Sequence, residues 1–594
     1  MNSTTKTHDI RKSILDIEIE LGSHIPTTLW ITDLHGEGKR FVNTLKGRFG
    51  LIYKTCQEAL PQTLGIRNID YLSRVLRKMC FFTEKGISMN KQDVIICLVN
   101  ILKYKTNNRH YNLRVILPTE MEDIIIRLLK DHNVPDLVFE NEIFSDRLIY
   151  ELCLAIKRVV LNHLVVLGDI LDRGGEPDKI IRILQQKAFL ENMTLIYGNH
   201  DVLWMGAIAG NRSLIAEAMR ITCRYDHMAF LERMKIDISK LKNFALRTYP
   251  TDKITGKFKA KTAEARSMEK ALAMIQFKLE ERTIKLHPEF EMDERLNLEK
   301  FVTMLQAEDT EGLTDTHTPT IDPDDPVRLS QEEEEVISDL ETQFTTNKYL
   351  RKYIGFFFDH GKHFSINNDF LNIHALIPST EDGQFETVFG CKGLELLEYT
   401  QGVINRVGEK YFQGKEQTEN DLALFFYLWC GPKSPLFGKD AMKTFERYFY
   451  KDKATHKETI LYWEKNLNKP EFQRLIQQEF NVKKVVFGHE PRDVLKGQTM
   501  NIGGNFAINV DGGFAAAYYN RGHALVRTPM QLYGVVLPTP EEMDEANKNK
   551  SPAPIKVEVI EDYKKPVKNK DTGYGVDLRM QRDQLMDELN KIKK

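Results

Sequence analysis

Five short runs of branched apolar residues, each ending in Gly, Asp, Asn or His, constrain this chain more than any other feature. They are Thr27–Thr32 before Asp33-Leu34-His35-Gly36, Leu164–Leu167 before Gly168-Asp169, Thr194–Tyr197 before Gly198-Asn199-His200-Asp201, Phe370–Ile373 before His374, and Lys484–Phe487 before Gly488-His489. Near-continuous apolar runs of this length suit strands buried on both faces. Open α/β sheets collect their ligands beyond the C-terminal ends of such strands. Polar-tipped strands separated by long intervals therefore predict an α/β fold with one site assembled from the whole chain.

The intervals read as helix. Residues 51–160, 206–349 and 396–480 are expected to be mainly helical insertions in a discontinuous core of 1–50, 161–205, 350–395 and 481–540. Met268, Leu272, Ile275 and Leu279 recur at spacings of four and three, the stripe of a helix packed on that core. Two stretches read as mobile surface: an acidic, Pro-bearing loop at about 307–335, and a Pro, Lys, Glu and Asn-rich stretch at about 539–570 in a charged C-terminal tail, 541–594. Leu578–Lys594, at the end of that tail, has helical spacing.

Charge and targeting signals exclude several classes. The 594 residues carry 83 basic and 85 acidic side chains, a net charge of −2, without the basic excess of a nucleic-acid-coating protein. Met1–Arg11 has no apolar run of signal-peptide length, and Val94–Leu102 is interrupted by Asn100, so a membrane partner is not expected. Seven cysteines without a CxxC pair fit reduced thiols, and the expected location is cytoplasmic. Nothing in the sequence specifies an oligomeric state.

The polar clusters read as metal ligands. Asp33 and His35 stand two apart at a strand end, and Gly168-Asp169-Ile170-Leu171-Asp172-Arg173-Gly174 places two carboxylates three apart with an arginine directly after the second. Gly198-Asn199-His200-Asp201 adds a neutral oxygen and an imidazole, and His374 and His489 follow two further apolar runs. Mixed oxygen and nitrogen donors without thiolate suit Mn²⁺, Fe or Zn²⁺ better than an all-oxygen Ca²⁺ or Mg²⁺ cage. So many donors call for two ions, and a carboxylate bridging ions about 3.5–4 Å apart serves in-line attack on phosphorus. The residues by themselves suggest a binuclear phosphoesterase.

This ordered set resembles the signature of the calcineurin-like metallophosphoesterases. Further blocks, Trp30–Gly36, GDILDRGGEPDKI at 168–180, YGNHDVLWMGAIAGN at 197–211, WCGPKSPLFGKD at 429–440 and NIGGNFAINVDGGF at 501–514, resemble the class III fructose-1,6-bisphosphatases within that superfamily. The resemblance implies a two-sheet sandwich flanked by helices, with the metals at the strand ends. It implies that Asp33 and His35 bind one metal, that Asp169 bridges, and that Asn199, His374 and His489 hold the other. A metal-bridging hydroxide would attack phosphorus, Arg173 would grip the phosphate, and His200, oriented by Asp172, would protonate the leaving alkoxide. The implied reaction is hydrolysis of the C1 phosphate of fructose 1,6-bisphosphate in gluconeogenesis, with Mn²⁺ the first choice of metal pair and Fe or another divalent ion the second.

Two departures stand out. Asp201 replaces the Glu that many relatives outside this class carry, and Gly488-His489 is followed by Glu490-Pro491 without a second histidine. For the C6 phosphate no motif is evident; Lys433, Lys439 and Arg492 are candidates because they lie beside Gly/Pro turns or a ligand loop. His163 reads as a structural histidine, Asp511-Gly512-Gly513 as a turn, and Trp204 as packing at a helix start. His110, His132, His227 and His456 have no matching context. A protein serine/threonine or nucleotide phosphatase is the alternative of the same chemistry. A non-catalytic scaffold is the alternative from another class, disfavoured because it has no need of Asp172, Arg173 and His200.

Overall fold

The computed structural model describes residues 3–107, 116–117, 120–130, 141–549 and 554–593, and so His110 and His132 lie outside the described residues. Among the described residues twelve strands form two mixed sheets. In chain order they are β1 (Thr28–Ile31), β2 (His163–Val166), β3 (Met193–Ile196), β4 (Gly361–Lys362), β5 (Phe364–Asn367), β6 (Phe370–Ile373), β7 (Lys484–Phe487), β8 (Asn501–Ile502), β9 (Ala507–Asn509), β10 (His523–Arg527), β11 (Gln531–Val536) and β12 (Lys556–Asp562). The seven-stranded sheet runs β12-β11-β10-β1-β2-β3-β4 and the five-stranded sheet β5-β6-β7-β9-β8.

Side-chain alternation decides which residues meet. Trp30, Val165, Ile196, Leu525 and Leu532 of the first sheet share one apolar cluster with Phe370, Val486 and Ile508 of the second, so the sheets pack face to face. Trp30 stacks on Phe370 with ring centroids 5.4 Å apart and donates its indole N–H to Asn372 Oδ1 at 2.6 Å. The alternate residues, Leu29, Ile31, Leu164 and Val166, face helices on the outside of the first sheet. Leu371, Ile373, Val485 and Phe487 do the same for the second. All four residues of β1 are buried, as strands covered on both faces must be.

Strand direction then positions the site. β1, β2, β3 and β4 run parallel, as do β6, β7 and β9. Parallel strands bring their C-terminal ends to one edge, and that edge carries Asp33, Asp169, Asn199, His374 and His489. Asp33 N donates to Gly168 O at 3.0 Å and Gly488 N to His374 O at 2.7 Å, tying neighbouring strand ends together.

Two expectations about mobile surface are corrected. Residues 556–562, read as part of a charged tail, form the edge strand β12 on β11, and the helix Gly573–Lys593 is tied to Ser3–Gly22 by Arg582–Glu18 and Lys6–Glu588 ion pairs, each 2.9 Å. The β-branched Val557 and Val559 suit a strand, but both are exposed, and of this strand only Ile560 is buried. The acidic loop is anchored from below: Asp315 pairs with Lys270 at 2.7 Å and Glu333 with Lys278 at 2.6 Å, every one of these side chains 0% exposed. Both lysines come from the helix Ala263–Leu286, whose Met268, Leu272 and Ile275 are buried as the spacing predicts. The EEEE run opens the helix Gln331–Thr346 through a capping box between Ser330 and Glu333, where acidic residues also complement the helix dipole.

Removing one member of such a buried pair strands the other in a dry interior. Lys278→Met is expected to lower stability by about 3–5 kcal/mol, read as an earlier urea midpoint. An unchanged midpoint would mean that the pair does not anchor this segment.

Candidate active site

Backbone strain marks the place. Asp33, His35, Asp169, Asp172, Arg173 and His489 all have positive φ, between 40° and 74°. Such conformations cost about 1–3 kcal/mol each in non-glycine residues and persist where the surroundings hold them in place. Glycines allow the loops to approach: a Cβ on Gly168 would lie 2.3 Å from Gly198 N, and one on Gly36 would lie 2.4 Å from Gly174 O.

Asp169 sits between two clusters. Its Oδ2 is 3.8 Å from His35 Nε2, and its Oδ1 is 3.5 Å from His374 Nε2. On the first side Asp33 Oδ1 lies 3.6 Å from the same His35 nitrogen. On the second, His489 Nδ1 lies 3.1 Å from His374 Nε2. Asn199 opens the helix Asn199–Ile208, and its amide donates to Trp429 O at 3.4 Å, leaving a buried Oδ1 without a partner among the described residues.

The histidines are held in one tautomer by their backbone partners. His35 Nδ1 faces Leu171 O at 3.3 Å, His374 Nδ1 faces Leu167 O at 2.7 Å, and His489 Nε2 faces Phe437 O at 2.7 Å. A carbonyl can only accept, so each of these nitrogens is the N–H and the opposite nitrogen keeps its lone pair. Burial, with Arg173 as the next contribution, holds His35 well below the usual imidazole range. Burial also lowers His374, and it holds His489 well below that range. Neutral rings thus turn lone pairs toward one another and toward Asp169. His35, Asp169 and His200 form one group able to hold a metal ion, and Asp169, His374 and His489 another. Lone pairs facing each other at 3.1 Å, an orphaned amide oxygen and a buried carboxylate between them fit cations.

A second constellation adjoins the first. His200 Nδ1 donates to Asp172 Oδ2 at 2.8 Å, and Trp204 Nε1 donates to Asp172 Oδ1 at 2.5 Å, so both carboxylate oxygens are engaged. Burial pushes the Asp172 carboxyl up to about 7, against the Trp204 bond and the Arg173 charge. Arg173 Nη2 donates to His200 Nε2 at 3.0 Å, and its guanidinium lies 4.7 Å from the centre of the Tyr518 ring. His227 Nε2 donates to Arg173 O at 2.6 Å, fixing the loop from outside.

Asp201 ties the loops together. Its carboxylate accepts from the backbone N–H groups of Gly198, Asp169, Ile170 and Leu171, at 2.8–3.2 Å. Its identity, noted in the sequence only as a departure from Glu, thus has a structural use. Trp204, read as packing, and His227, read as lacking context, also support site residues. Asp511 does close a turn, its Oδ1 accepting from Gly513 N at 2.8 Å, but its buried Oδ2 has no partner among the described residues. Burial and then Asp33 raise its pKa well above the usual range. His163 is structural as expected, its ring bonded to Thr194 Oγ1 at 2.9 Å.

A cavity of about 550 Å³ opens over these groups, lined by Asp33, Asp169, Arg173, Asn199, His200 and His489. Two candidates for the second phosphate are not part of its lining. Lys433 pairs with Glu291 at 2.9 Å and Glu386 at 3.5 Å, and Arg492 pairs with Glu464. Lys439 does line the cavity but is neutralised by Glu490 at 3.0 Å and Glu458 at 3.4 Å. Turn position in the sequence did not reveal these carboxylates, which come from distant segments.

Comparison with known proteins extends over nearly the whole chain. A family model described as Firmicute fructose-1,6-bisphosphatase matches residues 3–594. A fructose-1,6-bisphosphatase class 3 of Bacteroides fragilis is 34% identical over 555 residues, covering 85% of this chain and 82% of the relative. The protein of the same description from Clostridioides difficile is 30% identical over 615 residues, covering 95% and 92%. Among solved structures, a cold-active protein tyrosine phosphatase aligns with a TM-score of 0.30 at 12% identity over 88% of this chain and 80% of that one, a likeness too slight to carry an argument. By its match across the family model and along these relatives, the chain belongs to the class 3 fructose-1,6-bisphosphatase family.

Proposed function

We propose that this protein hydrolyses the C1 phosphate of fructose 1,6-bisphosphate to give fructose 6-phosphate and phosphate, in the cytoplasm and in gluconeogenesis. The scaffold is a metallophosphoesterase-type sandwich whose core is interrupted by helical insertions, and the cofactor is a pair of divalent ions, Mn²⁺ before Fe. The observation that carries the reading is Asp169, whose two carboxylate oxygens face two different histidine clusters. Asp33, His35 and Asp169 would hold one ion, and Asp169, Asn199, His374 and His489 the other. Bound there, the ions supply Lewis acidity that polarises the phosphate and acidifies the attacking water.

The chain's own residues do the rest. Arg173 offers a planar fork of N–H donors suited to phosphate oxygens. Its bond to His200 Nε2 occupies that nitrogen before substrate arrives. A phosphate dianion draws the guanidinium away and favours protonation of the freed nitrogen. That proton passes to the C1 oxygen as the P–O bond breaks, while Asp172 holds Nδ1–H and stabilises the imidazolium. A cavity of small-molecule dimensions favours a sugar phosphate over a phosphoprotein.

Protein reconstituted with Mn²⁺ is expected to release one phosphate from fructose 1,6-bisphosphate and little from fructose 6-phosphate, a phosphopeptide or a dinucleoside polyphosphate. A chelator should lower the rate by roughly 10³-fold, and Mn²⁺ should restore it. Preference for the peptide or nucleotide would replace the sugar as substrate. Chelator-insensitive turnover would overturn the two-metal reading.

A further inference from the structure

A bisphosphate needs a second anion site, away from the metal clusters. We propose that Lys257 and Lys259, with Arg224, form the subsite for the C6 phosphate; this rests on the substrate reading above. All three line the same cavity as Asp169, Arg173 and His200.

Charge accounting separates the two lysines from the other cations of that cavity, Arg224 included, which is paired with Glu269. Arg220 is paired with Glu217 at 2.6 Å, Arg447 with Glu458 at 2.8 Å, and Lys439 with Glu490 and Glu458. Lys257 and Lys259 have no ion-pair or hydrogen-bond partner among the described residues. Arg224 uses only Nη1, on Glu269 at 3.1 Å and Tyr448 Oη at 3.0 Å, so its other N–H groups remain for a ligand.

The segment that carries the lysines is fixed at both ends. Thr255 N and Gly256 N donate to Asp315 Oδ2 at 3.2 and 3.0 Å, Ala260 N donates to Glu269 Oε2 at 2.9 Å, and Lys261 N donates to Asp226 Oδ2 at 2.9 Å. Between these anchors Phe258 is buried and stacks on Tyr448, ring centroids 4.3 Å apart and planes 10° from parallel. Tyr448 is the residue that Arg224 bonds. The stack therefore links the two lysines to the arginine through direct contacts. Lys257 and Lys259, on either side of the buried Phe258, are both exposed. With the backbone already fixed, binding an anion orders only the lysine side chains and not the loop that carries them. Lysines suit a phosphate that must be held as a charge, at a distance from the reacting bond.

The test compares fructose 1,6-bisphosphate with fructose 1-phosphate, which keeps the scissile phosphate and lacks the other. Wild-type protein should favour the bisphosphate in kcat/KM. In the double variant Lys257→Gln/Lys259→Gln, the ratio of the two kcat/KM values should fall by roughly 100-fold, with metal content as the control for folding. Lys257→Arg/Lys259→Arg should retain most of the ratio. A ratio within about threefold of wild type in the Gln variant overturns the subsite and leaves the substrate assignment standing. Wild-type protein that does not favour the bisphosphate overturns the substrate reading, and the subsite with it.

Discussion

Asp169→Asn is expected to lower phosphate release from fructose 1,6-bisphosphate by roughly 10³-fold or more and to strip the protein of bound metal. The substitution keeps the shape of the side chain and an oxygen able to accept the backbone N–H of His200, whose nitrogen lies 3.0 Å from Oδ1. It removes one negative charge from a side chain whose two oxygens face both clusters. Burial and the neighbouring Asp33 and Asp201 already raise the pKa of the Asp169 carboxyl well above its usual range, an arrangement that cations relieve. Lewis-acid stabilisation is worth several kcal/mol, and about 4 kcal/mol corresponds to the stated loss in rate. Metal content and turnover measured on the same preparation decide the matter. A variant that keeps two ions and most of its activity would show that Asp169 does not bridge.

His200→Ala separates two roles that the geometry brings close together. As a general acid, His200 is worth roughly 10²–10⁴-fold in turnover, and its loss should leave metal content near normal. Its ring also lies in a group with His35 and Asp169 that is able to hold an ion. As a ligand, its removal would lower metal affinity as well as rate. The hydrogen bonds favour the acid: Nδ1 is committed to Asp172 and Nε2 meets the guanidinium of Arg173. A rate close to wild type would remove His200 from the mechanism. A rate loss matched by metal loss, and rescued by excess Mn²⁺, would make it a ligand.

The sequence made the donor set legible because metal chemistry needs particular side chains beside particular turns. Asp33-x-His35, Gly168-Asp169 and Gly198-Asn199-His200 declare their residue types and their strand ends without reference to anything distant. What supports them is less visible. Trp204 is one more apolar residue in a helix buried on all sides, and only its indole N–H on Asp172 distinguishes it. His227 lies far along the chain from the loop whose carbonyl it bonds. Lys433, Lys439 and Arg492 stand beside turns, where the sequence offers them for the second phosphate. Whether a lysine is free depends on which carboxylates the fold brings to it, and Glu291, Glu386, Glu458, Glu464 and Glu490 come to those three from several segments.

The sequence by itself determined the α/β alternation, the strand ends that carry polar groups and the identity of the donors, since each depends on local period or residue chemistry. The tertiary structure decided which donors share a centre, because parallel β1, β2, β3, β6 and β7 deliver them from opposite ends of the chain to one edge. It also decided which charges stay unpaired. The acidic loop and the C-terminal stretch, polar enough to read as mobile surface, are ordered by partners: Lys270 and Lys278 beneath the one, β11 beside the other. Composition reports how much charge a segment carries, and only the fold reports where the opposite charge or the neighbouring strand lies.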